Sequence, residues 1–231
     1  MTPAAGEALG AAEVIVGYQT YLDLIPEFLV GKEVIASQMM KEVDRCRKAL
    51  DLAAEGKKVA LVSGGDPGIY AMAGLVFEMA REQGSSVDIE VIAGIAAINA
   101  CAARLGAPLM HDFAAVSLSD LLTPWEKIEK RLEAAASADF VLAIYNPKSK
   151  KRAEHIVRAR EILLAHRAPE TPVGIVTAAT RENERIVLTT LGKMLESEID
   201  MQTTIIVGNS MTFAWQGFMV TPRGYAAKYA L

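Results

Sequence analysis

The chain has 231 residues, 52% of them hydrophobic, with 24 basic against 28 acidic side chains and a net charge of -4. That length allows two small domains or one large one, and no apolar run approaches the roughly 20 residues of a membrane-spanning helix. The charge argues against a general nucleic-acid binder, which needs a basic face.

The opening Met1-Thr2-Pro3-Ala4-Ala5 has neither the basic segment nor the apolar core of a signal peptide, so the cytoplasm is the expected location. Val14-Ile15-Val16 reads as a strand and Glu33-Val34-Ile35 as the next. A helix is expected from Gln38 to Glu55, with Met39, Val43, Cys46, Leu50 and Ala53 on its apolar stripe and Gly56 closing it. Lys58 to Val62 is a buried strand, and a helix follows from Ile69 to Gln83. Asp88 to Ile92 is the next strand and Ile95 to Leu105 the next helix. This βαβα order implies a mainly parallel sheet covered on both faces.

Gly106-Ala107-Pro108-Leu109 interrupts the pattern and marks the expected boundary between domains 1–108 and 109–231. Ala115 to Leu118 is strand-like. Thr123-Pro124-Trp125-Glu126 carries a full helix start, with Thr123 as cap, and Trp125, Ile128, Leu132 and Ala135 form an apolar face. A strand from Phe140 to Tyr145, a helix from Lys151 to Ala165 and a strand from Val173 to Thr177 follow. Strands at Arg185 to Thr189, Thr203 to Val207 and Phe213 to Val220, with few long helices between, predict a mixed sheet in the second half. The class is therefore α/β.

Four breaks fall at the carboxyl ends of strands, where ligands collect in open α/β sheets. The sharpest is Ser63-Gly64-Gly65-Asp66-Pro67-Gly68, whose glycines allow close approach to bare backbone. Asp66 is placed to cap the following helix or to accept a ligand hydrogen bond, and no Gly-Lys-Ser/Thr follows to make it a P-loop. The others are Ala93-Gly94-Ile95-Ala96-Ala97, Tyr145-Asn146-Pro147 and Ala178-Ala179-Thr180-Arg181. Small residues there leave room for a bulky ligand, or serve tight helix-strand packing. Cys46 and Cys101 have no partner spacing and read as small buried hydrophobes, so neither a disulfide nor a metal is expected. His155 and His166 read as parts of a solvated helix face, and Lys148, Lys150, Lys151 and Arg152 as a basic cluster.

These segments, in order over nearly the whole chain, resemble the tetrapyrrole (corrin and porphyrin) methylases. Ser63 to Tyr70 matches that family's Gly-Asp-Pro loop, and Ala93 to Ala97 its second cofactor-contacting turn. Gly106 to Phe113, Ser117 to Trp125 and Tyr145-Asn146-Pro147-Lys148-Ser149 are similar to the branch that methylates precorrin-3B, or its cobalt form, at ring carbon 17 with ring contraction, in cobalamin biosynthesis. The resemblance implies two α/β domains with S-adenosylmethionine in a cleft between them, commonly a homodimer, and S-adenosylhomocysteine as product. Carried over by position, the cofactor contacts are Gly64, Gly65, Asp66, Ile69, Ala96, Ala97, Asn146, Ala179 and Thr204. His111 and Asp112, with Ser117 or Ser119 as hydrogen-bonding groups, are the candidates for the proton movement that ring contraction requires. The basic cluster from Lys148 to Arg152 would suit the carboxylates around such a substrate.

One departure stands out. The family normally opens with a strand and a Gly-rich loop before the Thr-Pro that begins a helix, whereas Thr2-Pro3 here comes almost at once. Two rival readings follow: another methylase of the family, acting on precorrin-4, uroporphyrinogen III or diphthine precursors, or a non-catalytic ligand-binding protein on the same scaffold.

Overall fold

The computed structural model describes residues 1–150 and 152–229, so the predicted helix start and basic-cluster member at Lys151 lie outside the described residues. Contacts divide the chain into two units, Met1–Ala96 and Ala97–Leu231.

The first unit is built on β1 (Val14–Tyr18), preceded by α1 (Pro3–Ala11). Thr2 caps α1 by accepting from the Ala5 amide, with Pro3 at the first helical position, where its missing N–H costs nothing. Two one-turn helices, α2 (Gln19–Leu22) and α3 (Pro26–Leu29), lead to β2 (Glu33–Ser37). Then come α4 (Glu42–Ala54), β3 (Val59–Val62) and α5 (Ala73–Glu82). The sheet is parallel in the order β2-β1-β3, with Val14 opposite both Glu33 and Val59.

Val14, Ile15 and Val16 are buried on both sides of the central strand. Ile15 packs with Leu9, Leu22 and Ile25, while Val14 and Val16 pack with Ala49 and Leu52 of α4. Each fully buried Val or Ile contributes about 1.5–3 kcal/mol, which explains why β1 is a continuous apolar run rather than an alternating one.

Several expectations shift here. The α4 helix begins at Glu42 rather than Gln38, because Met40 takes a left-handed φ of 66°. Its buried face holds Arg45, Cys46, Ala49, Leu50 and Leu52, while Met39 and Val43 stand exposed, so the apolar stripe is rotated from the predicted one. The α5 helix starts four residues late, at Ala73, after turns from Asp66 to Met72. Strand β3 is half-buried rather than buried. The predicted strand Asp88 to Ile92 carries no ladder among the described residues, since β-propensity without a neighbouring edge does not make a strand.

The second unit runs α6 (Ala97–Leu105), β4 (Gly106–Ala107), β5 (Phe113–Ser117), α7 (Trp125–Ser137), β6 (Val141–Tyr145) and α8 (Glu154–Leu164). Then follow β7 (Pro172–Thr177), β8 (Arg185–Thr190), a 3-10 turn (Met194–Glu196) and β9 (Thr203–Val207). The hairpin β10 (Phe213–Trp215) and β11 (Phe218–Val220), and a last turn α9 (Tyr225–Lys228), complete it. The main sheet has the order β5-β6-β9-β7-β8 and is mixed, as the second-half pattern predicts.

Strands β5, β6 and β7 run one way and β8 and β9 the other. Helices α7 and α8 cover one face through Ile128, Leu132, Ile156 and Leu163. Helix α6 packs on the other through Cys101 and Leu105, against Val141, Val176 and Ile206. A methyl group on Gly174 of β7 would meet the Leu105 side chain at 2.2 Å, so a bare backbone there is what lets α6 sit close. This packing places residues 97–108, which the sequence pattern groups with the first half, in the second unit.

Helix α7 begins at Trp125, with Pro124 at the cap position and no side-chain cap, so Thr123 does not play the capping role its spacing suggests. Helix α8 begins at Glu154, and the predicted last strand is a hairpin turned at Gln216 and Gly217, both with positive φ.

Candidate functional site

In the first unit, two of the four turns come together. The Asp66 carboxylate accepts from the Gly68 amide at 2.8 Å and from the Gly94 amide at 3.0 Å, stapling the 63–68 loop to the turn 28 residues later. Asp66 therefore caps no helix, and α5 starts without any side-chain cap. Gly65 is exposed at φ 76°, a conformation glycine takes without steric cost. Gly64 has a different reason: a methyl there would lie 2.7 Å from the Tyr21 ring. Ile69 is exposed and Ala96 buried. The Thr2 hydroxyl donates to the Ala93 carbonyl at 3.0 Å, which ties the start of α1 to the same turn.

In the second unit the register fixes which residues share an edge. Ser117 pairs with Tyr145, Ile144 with Ile205, and Val176 and Thr177 with Thr204 and Thr203. The carboxyl ends of β5, β6 and β7 thus align with the amino end of β9. Asn146 and Ala178, each the first residue past its strand, both adopt left-handed backbone, at φ 50° and 51°. Non-glycine residues held this way cost on the order of 1–3 kcal/mol each, and such strain concentrates at functional sites.

The Asn146 amide nitrogen donates to the Ser117 hydroxyl at 2.9 Å, and the Ser119 amide donates to that hydroxyl at 3.2 Å. Tyr145 Oη accepts from the Ile98 amide at 2.9 Å, satisfying one orphan donor at the start of α6 and fixing Ala97 at the same edge. Thr204 is buried and hydrogen-bonded to Cys101, while Ala179 is half-buried against Val176 and its neighbours.

The four residues proposed for proton movement are not brought together. His111 and Asp112 precede β5, whereas Ser117 ends it and Ser119 follows it. At about 3.3 Å per residue, roughly 20 Å of strand separates His111 from Ser117. The His111 Nδ1 accepts from the Asp112 amide at 2.7 Å, a local turn arrangement, with both side chains well exposed. Spacing along a chain says nothing about which end of a strand a residue occupies.

Arg152 and His155 also differ from expectation, whereas Lys148 and Lys150 are exposed. Arg152 is no surface charge: its side chain is only 12% exposed. Its Nη2 donates to the Asn146 carbonyl at 3.0 Å, and Nη1 faces Asp120 at 3.7 Å. His155 is not solvated either. Its Nδ1 lies 3.0 Å from the Leu118 carbonyl and Nε2 lies 3.6 Å from Asp120. Its ring stacks on Trp125, centroids 4.1 Å apart and planes 18° apart. His166 bonds Glu133 at 2.6 Å. The only hint of this cluster in the sequence is Asp120 in the segment preceding Trp125.

Burial pushes both thiols up to about 11, Cys101 with an opposing hydrogen bond from Thr204 and Cys46 with an opposing pull from Arg45. Among the described residues no group of three or more His, Cys, Asp or Glu could hold a metal ion, and no helix is long and apolar enough to cross a membrane.

A family profile for the tetrapyrrole (corrin/porphyrin) methylases matches residues 1–195. A cobalt-factor III methyltransferase of Priestia megaterium is 52% identical over 235 residues, covering 100% of this chain and 44% of that protein. A probable cobalt-factor III C(17)-methyltransferase of Salmonella typhimurium is 51% identical over 225 residues, covering 97% of this chain and 93% of its own length. The crystal structure of the methyltransferase CobJ superposes with a TM-score of 0.91 at 39% identity, covering 96% of this chain and 93% of that one.

Proposed function

Because the chain belongs to the tetrapyrrole methylase family, we propose that it methylates cobalt-factor III, the cobalt form of precorrin-3B, at ring carbon 17 with S-adenosylmethionine as donor. The observation that carries this reading is the clustering of candidate contacts within each unit. In one unit Asp66 joins the Gly64-Gly65 loop to the Gly94 turn, and in the other Asn146, Ala179, Thr204 and Ala97 share one sheet edge. The full-length relative from Salmonella, 51% identical, supports the choice of substrate and carbon.

The residues fit such a donor. Gly65 offers exposed main chain, and the Asn146 amide oxygen has no hydrogen-bond partner among the described residues. We propose Gly64, Gly65, Asp66, Ile69, Ala96, Ala97, Asn146, Ala179 and Thr204 as its contacts. When bound, the donor supplies a methyl group on a positively charged sulfur. The chain's own residues need only bind, orient and exclude water, since near-attack placement is worth about 7–11 kcal/mol of barrier. No nucleophile or triad is required. Ser117 and Ser119 remain as polar groups of that edge, and His111 and Asp112 are left out of the reacting set. We place the protein in the cytoplasm, working as a homodimer.

The test is incubation with S-adenosylmethionine and cobalt-loaded or metal-free precorrin-3B, followed by mass spectrometry of the pigment. Donor-dependent gain of one methyl group by the cobalt form is expected. Failure of both pigments to gain mass would overturn the proposal.

A further inference from the structure

We infer that Arg152, oriented by Asp120 and His155, is a positioning residue that holds the Asn146 strand end in its ligand-binding conformation. The inference rests on the reading of Asn146 as a donor contact. Asn146 is held at two points: its side chain by Ser117 and its carbonyl by Arg152 Nη2. That carbonyl points where it does because Asn146 is left-handed, a conformation asparagine tolerates, and the Arg152 and Ser117 hydrogen bonds fix its direction.

Arg152 is well placed to do so. Its backbone closes the turn after Asn146 through paired hydrogen bonds with Ser149, at 3.0 and 3.1 Å, so the side chain folds back over six residues onto the strand end. The guanidinium is largely buried, and among the described residues its Nε has no hydrogen-bond partner and Asp120 is the carboxylate that faces it. Asp120 is in turn shared with His155. The His155 Nδ1, against a carbonyl oxygen, carries a proton and donates to Leu118, and stacking on Trp125 fixes the ring plane.

Two hydrogen bonds hold Asn146, to Ser117 and from Arg152, and Asp120, three residues after Ser117, lies 3.7 Å from Arg152 and 3.6 Å from His155. These contacts join the ends of β5 and β6 to the start of α8, all within the second unit. A planar guanidinium with several fixed donors meets the carbonyl and the carboxylate at once, which a lysine cannot do.

The test measures S-adenosylmethionine affinity by calorimetry and steady-state kinetics on four proteins: wild type, Arg152→Ala, Asn146→Gly and the double variant. Glycine at 146 keeps the left-handed backbone accessible while removing the side chain. Arg152→Ala is expected to weaken donor binding about tenfold, with the loss falling on KM for the donor more than on kcat. The double variant should bind no worse than Asn146→Gly alone, because the two residues act as one unit. Arg152→Lys should recover only part of the affinity.

If Asn146→Gly leaves donor affinity unchanged, the contact reading itself fails. If Asn146→Gly weakens binding and Arg152→Ala does not, or if the two losses simply add, the positioning role is overturned while the contact reading stands. Should Arg152→Ala unfold, Asp120→Asn provides the same comparison, and unaltered donor affinity there counts against the inference.

Discussion

A methyl group added to Gly94 would lie 2.0 Å from the carbonyl oxygen of Gly65, closer than any real contact permits. Backbone meets backbone there, so no side-chain rotation relieves the clash. Gly94→Ala is expected to destabilise the protein by roughly 1–3 kcal/mol, the range for overpacking, and to weaken S-adenosylmethionine binding by displacing the 63–68 loop. Thermal unfolding with calorimetric titration checks both; a variant that melts like wild type would mean the two turns are not in contact.

Asp66 holds those turns by two backbone amides. Asp66→Ala leaves the part-buried Gly94 amide without its acceptor, at a cost of about 1–3 kcal/mol, while water can replace Asp66 at the exposed Gly68 amide. Asp66→Asn keeps a single acceptor and should fall between the alanine variant and wild type in a denaturant series. Equal midpoints for Asn and Ala would show that only one of the bonds matters.

Tyr145→Phe removes the acceptor for the Ile98 amide without changing ring volume. The expected loss is about 1 kcal/mol, with faster amide exchange confined to the first turn of α6. Exchange that rises uniformly over the second unit would instead point to loss of ring packing.

Both thiols sit at about 11 because they are buried. Their folded values lie above the unfolded ones, so this contribution to stability is fully present below the ordinary thiol range and lost as pH rises through it towards 11. Native protein should resist alkylation at pH 8, and both cysteines should label once it is unfolded. Rapid labelling of either in native protein would contradict the burial.

Glu184 is held below the usual carboxylate range, first by the Thr180 amide and then by Arg104, whose Nε lies 2.9 Å away. Stability from its ionised form is present above the ordinary carboxylate value and lost as pH falls through the depressed one. Acid titration followed by amide exchange should show Thr180 opening at low pH, and Glu184→Gln should abolish that dependence. A pH-independent Thr180 amide would remove the carboxylate from the turn.

The sequence by itself determined the α/β class, the mixed sheet of the second half and the turns that follow β3, β6 and β7. Those depend on local periodicity and on glycine and alanine placement, which a short stretch of chain contains in full. It misplaced what depends on distant partners. Asp88 to Ile92 has strand propensity but no neighbouring edge, and α4 starts at Glu42 because Met40 is left-handed, with a buried face set by what packs on it. Only the tertiary structure could put His111 at one end of β5 and Ser117 at the other, or bring the largely covered side chains of Arg152 and His155 from a charged helix start to the exposed Asp120. Strand direction and register are properties of pairing between segments, and the energy that decides them is spread over residues far apart in the chain.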